Sequence, residues 1–142
     1  MVLIKLLKKY KWWLTIGTLI SIIFIASHFW QDFLLSFYLS FPLFFIVGCI
    51  AVLISKSDNV GQIFTGGIFT GIYAGFLYLL IYWVGYEIIV KKAWESPMFA
   101  HNWGLAILPP ISYTIVSFIP MSIAGGLLVF VIRKIIAKKK SL

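Results

Sequence analysis

Gly67-Ile-Phe-Thr-Gly71-Ile-Tyr-Ala-Gly75, followed by Tyr78, Tyr82 and Gly85, organises the third of four hydrophobic runs in this chain. At about 100° per residue these six positions share an arc of roughly 80° on a helix, so a groove without side chains leads into a column of phenols. In lipid, helices gain nothing by hiding one apolar surface against another, and small residues mark where two backbones come close. The stretch therefore predicts a membrane-embedded helix with a closely packed mate.

The rest of the chain agrees. With 62% apolar, 18% aromatic and 11% charged residues, there is too little polar surface to cover a water-soluble domain. In 142 residues about four spans of roughly 20 residues fit, leaving no room for a soluble domain. Residues 1-142 thus read as one all-α integral membrane domain, a four-transmembrane-helix bundle. Its expected spans are residues 12-29, 33-55, 62-90 and 111-132, with an outer loop at 91-110. A net charge of +8 would suggest nucleic acid in a soluble chain. Here lysine and arginine sit at the ends of apolar runs, so they read as topology signals and as contacts to anionic lipid headgroups in the bilayer, with no nucleic acid as partner.

Before the first span, Lys5, Lys8 and Lys9 separate from Leu3, Leu6, Leu7 and Tyr10 on a helical wheel, as in a short interfacial amphipathic segment. Trp12 and Trp13 are placed for an aromatic belt at the headgroups. The basic start and apolar run also fit a secretory signal ending near Ala26-Ser27; we read the segment as retained, as the first span. Gly17, Ser21 and His28 share one face of it, a small-residue seam suited to the glycine ribbon. In the second span Pro42 is expected to kink the helix, and Phe33, Phe37, Phe41 and Phe44 form a packing or lipid-facing stripe. Gly48 and Ala51 offer another close approach. Pro109-Pro110 suits the start of the fourth span. Pro120 interrupts that span, with Ser117 placed to satisfy a freed carbonyl, and Ser122, Gly125 and Gly126 give it a second small-residue surface. The ribbon's expected mates are therefore the Gly17, Ser21 and His28 face or the Ser122 to Gly126 patch.

With four spans, Lys5, Lys8, Lys9, Lys11, Lys56, Arg133, Lys134, Lys138, Lys139 and Lys140 share one side, against Lys91 and Lys92 on the other. The positive-inside bias places both termini in the cytoplasm. His28, Asp32, Glu87 and His101 then gather near the outer face, towards which Tyr82 points, and these five residues form a candidate outer polar site. A cation is one reading of it. The plainer one is that titratable residues collect where a membrane protein meets water, with Glu87 pairing to Lys91 four residues on. The residues come from three segments, and no spacing among them matches a metal-ligand pattern, so no metal is assigned.

Catalysis within the membrane needs a buried nucleophile and base, and proton-coupled transport usually places an ionisable group near mid-membrane. The apolar cores contain neither. One cysteine, Cys49, excludes a dithiol mechanism. The chain also lacks the marks of four-helix thiol oxidoreductases and the embedded glutamate of small multidrug exporters. No catalytic residue or cofactor is assigned. The expectation is a non-enzymatic membrane subunit acting through helix-helix assembly, as a homo-oligomer or as accessory to another membrane protein. The alternative is a small channel or transporter whose path an oligomer forms. A prokaryotic plasma membrane is expected; Lys139-Lys140-Ser141-Leu142 resembles a dilysine retrieval signal, which makes the endoplasmic reticulum the alternative. Ser141→Cys tests the orientation in intact cells: a membrane-impermeant maleimide should label it only after permeabilisation, and labelling from outside would invert the topology.

Overall fold

The computed structural model describes residues 2–28, 33–55, 59–82 and 111–141. All the described elements are helices. We label them α1 (Val2–Lys9), α2 (Lys11–His28), α3 (Phe33–Ser55), α4 (Val60–Tyr78, continued in wider π turns to Tyr82) and α5 (Ile119–Ser141, the main part of a helical run Ile111–Ser141). Among the described residues three helices, α3, α4 and α5, are long and apolar enough to cross a membrane on their own, and α1 with α2 makes a fourth if the bent pair is taken as one span. The amphipathic start is bent from α2 by 70°. At the corner, helical hydrogen bonds persist on both sides of Tyr10, from its N–H to the Leu6 carbonyl and from the Leu14 N–H to its own carbonyl, each 3.0 Å. Asn59 starts α4 from an extended conformation, and its side-chain oxygen accepts the Gly61 N–H at 2.8 Å.

The helices form a square in which α2 and α5 are diagonal, each packed on both α3 and α4. The glycines explain how close these packings are. A Cβ added at Gly48 of α3 would collide with the Ser122 carbonyl oxygen and come within 2.7 Å of the Gly126 nitrogen, and one at Gly125 would collide with the Phe45 carbonyl. On the next side of the square, a Cβ on Gly67 would strike Ile123, and one on Gly71 would strike Ile119 and reach 2.8 Å from its backbone nitrogen. The ribbon thus lies on α5 within one chain, on the Ile119 to Ile123 turn, whereas Gly125 packs on α3. Gly17 of α2 faces the flank of the ribbon, where its Cβ would sit 2.5 Å from the Thr70 methyl.

Two side chains of α2 fill the middle of the square. Near the end that carries both termini, Trp13 lies on Gly66 and touches Gly126, buried together with Tyr10, Ala51, Val52 and Ile63. Trp12 is exposed, but Trp13 is a core residue rather than part of an aromatic belt. Three turns further on, Phe24 meets Phe44, Tyr78, Tyr113 and Phe118 at ring distances of 6.4, 5.8, 5.3 and 5.6 Å. Such aromatic edges and faces add to the dispersion energy that holds helices together in lipid.

Pro42 and Pro120 both lie within helical runs. α3 runs through Pro42 as one helix. Ahead of Pro120, Thr114–Phe118 is wound as a π-helix, and the Ile119 N–H reaches back five residues to the Thr114 carbonyl. Proline at this position removes the donor for the carbonyl four residues back and crowds it; the widened turn relieves the crowding. Ser117 does not serve the freed carbonyl, because its hydroxyl is engaged across the bundle with Ser40. The fourth span, expected to end at residue 132, continues as helix to Ser141, with its last three turns exposed.

Because the Gly48 and Gly71 contacts are with backbone, a side chain there forces the helices apart. Gly48→Leu and Gly71→Leu should each lose about 1–3 kcal/mol or more of stability in reversible unfolding in mixed micelles. Ile22→Ala on the exposed side of α2 should stay within about 0.5 kcal/mol.

Candidate functional site

The residues singled out from the sequence divide into two groups. Gly17, Ser21, Gly67, Gly71, Gly75, Gly125 and Gly126 are all buried in the square. Of the outer polar set, Asp32, Glu87 and His101 lie outside the described residues, as does the side chain of His28. Tyr82 is buried and stacks on Tyr78 with centroids 5.4 Å apart and planes 12° apart.

What the described residues do bring together at that end is an aromatic cluster with a hydroxyl pair beside it. Ser40 donates to the Phe37 carbonyl at 2.6 Å, which leaves its oxygen to accept the Ser117 hydroxyl at 2.6 Å. Both serines are fully buried, on α3 and on the π turn of the α5 run, so this bond ties two helices at the level of the aromatic plug. Phe37 and Phe44 of the second-span stripe face this cluster, while Tyr38 is exposed. Elsewhere in the bundle, Ser21, Ser36, Thr70 and Ser122 are buried with no hydrogen-bond partner for their hydroxyls among the described residues, and the Trp13 indole N–H is in the same position. The cost of a lone hydroxyl is smaller than that of a charge, and a hydroxyl in a helix has its own backbone close by.

The opposite, basic end carries a contact that sequence reading missed. Arg133 donates from Nη1 to the Val52 carbonyl at 3.1 Å and from Nη2 to the Leu53 carbonyl at 3.0 Å. These are among the last carbonyls of α3, which have no partner within their own helix. A residue read as a topology signal is therefore also the cap of a neighbouring helix, and only its fork of donors, which a lysine lacks, hints at the role. On the same end, Lys9 stands over the Tyr10 ring at 5.7 Å and Lys11 over Trp12 at 5.3 Å.

Two hollows open on the apolar outer surface of α4. One, of about 310 Å³, lies on the α5 side between Ile72, Gly75, Phe76, Leu79, Ile111 and Thr114. The other, of about 320 Å³, lies on the α1 side between Leu7, Phe69, Ile72, Tyr73 and Phe76. Among the described residues no group of three histidine, cysteine or acidic side chains comes together. The chain matches no protein-family model, no curated protein and no solved structure.

The hydroxyl pair gives a direct test of this site. In a double-mutant cycle of Ser40→Ala and Ser117→Ala, the coupling energy should be about 0.6 kcal/mol and not above about 1.7 kcal/mol, the range found for hydrogen bonds between helices in membranes. Zero coupling would mean that the two hydroxyls are held by packing alone.

Proposed function

We propose that this chain is a small non-enzymatic membrane protein that works by assembling its helices with those of a second copy or of a larger membrane complex. The observation that carries the reading is the filled interior. Trp13 and Phe24, one helical face of α2 and three turns apart, occupy the middle of the square at two levels, each about 1% exposed. A single copy has its interior committed to packing at these two levels, so its outer surface is what it can offer. Among the described residues that surface is rich in apolar side chains, with exposed Phe64, Ile68, Ile72 and Phe76 forming a ridge along α4 at every fourth residue. Ridges of this spacing are what a neighbouring helix fits into its own grooves. A prokaryotic plasma membrane suits the reading, with the endoplasmic reticulum as the alternative compartment.

A second reading is a pore formed by an oligomer, favoured by Thr15 and Thr65, which carry hydroxyls on the exposed outer surface. One preparation separates the two. Extracted from native membrane at low detergent, the protein should co-purify with a larger membrane protein or as a defined oligomer, and be silent in an ion-flux assay after reconstitution. Flux from the purified protein alone would favour the pore, and a lone, silent monomer would overturn both readings.

A further inference from the structure

We propose that the elbow between α1 and α4 holds one anionic phospholipid, with an acyl chain in the hollow and the phosphate on the α1 lysines. This rests on the membrane reading alone and not on assembly. Because α1 leaves α2 at 70°, it overhangs the foot of α4 instead of continuing the span. The hollow beneath it is apolar, about 320 Å³, and walled by Leu7 from α1 and by Phe69, Ile72, Tyr73 and Phe76 from α4. The hollow begins at Phe69, about 14 Å along α4 from Val60, so it takes the inner part of an acyl chain whose headgroup lies at the basic end. The hollow opens sideways on the protein surface, where lipid tails are the surrounding solvent.

Charge decides which lipid. The Tyr10 ring stacks on Phe69 at the basic end of the hollow, with centroids 6.3 Å apart and planes 24° apart. On the Tyr10 ring stands the Lys9 ammonium, 5.7 Å from its centroid. A cation is thus one ring away from the wall of the acyl hollow. Lys5, Lys8 and Lys11 are exposed close by in sequence. A phosphate diester without a cation of its own satisfies this end, whereas a zwitterionic headgroup brings an ammonium against the lysines.

The test uses the full chain in vesicles of equal phosphatidylglycerol and phosphatidylcholine with identical acyl chains, and counts lipids retained per chain by native mass spectrometry. One phosphatidylglycerol per chain should be retained in preference to phosphatidylcholine. Lys8→Gln with Lys9→Gln should reduce that preference by about fivefold for each lysine removed. Lys138→Gln, Lys139→Gln and Lys140→Gln together remove more charge from the exposed tail and should change it less than twofold. Ile72→Trp, at the exposed rim, should push a ring into the hollow and reduce retention of both lipids. Equal retention of the two lipids by the unaltered chain, an equal loss from the tail variant, or full retention by Ile72→Trp would each overturn the proposal. The lipids are counted on the monomeric species, because a partner seated on the α4 ridge would cover Ile72 and Phe76.

Discussion

How closely α5 can approach α3 and α4 is the constraint on which the rest of this bundle depends. In lipid there is no reward for burying apolar side chains against each other, so helix association relies on contact density, and that depends on bringing backbones together. Gly48, Gly125 and Gly126 let α5 meet α3 at carbonyl and amide level, while Gly67 and Gly71 let the backbone of Ile119 and Ile123 settle on α4. Once α5 is held on two sides, the centre of the square is narrow enough for single side chains of α2 to fill it. Trp13 and Phe24 then finish the core, and the hydroxyl pair of Ser40 and Ser117 and the fork of Arg133 fix α5 to α3 at its two ends.

The helical and apolar character of the chain was legible in composition and periodicity, because both are properties of the sequence alone. So was the identity of the small-residue surfaces, since a glycine in the middle of an apolar helix has few other uses. Which surface meets which was not legible. The ribbon of α4 and the Gly125 pair of α5 are each compatible with any facing helix, and the pairing follows from the square arrangement, in which α5 offers one side to α4 and another to α3. Trp13 was misplaced for a related reason: next to Trp12 and the lysines it has the composition of an interfacial residue. Gly66 on α4 makes the flat space that takes its ring inside, and nothing near Trp13 in sequence announces that space.

Of the candidate site, the outer polar set was read from the side of the membrane on which titratable residues fall, which places residues in a layer but not in contact. Apart from Tyr82 and the backbone of His28, those residues lie outside the described ones. The features that the described residues bring into contact are of another kind: hydroxyls and guanidinium nitrogens meeting backbone carbonyls or each other across helices. Such contacts carry no spacing signature, because their partners are 77 to 81 residues apart in sequence. Ser117 illustrates the limit. Its place before Pro120 suggested a local bond, but the π turn rotates that segment and the hydroxyl goes to another helix.

The Arg133 fork has a bearing on length. From Gly126 to Arg133 is seven residues, about two turns and about 10 Å of helix, and these two residues touch α3 at neighbouring heights, at Val52 and at the Val52 and Leu53 carbonyls. The stretch between them is therefore a spacer whose length is set at both ends. A single residue gained or lost there would turn the guanidinium about 100° around the helix, away from the carbonyls it caps, while the glycine contact stayed in place. The turns of α5 from Gly126 to Arg133 thus act as a gauge that relates the packed middle of the bundle to the level at which α3 ends.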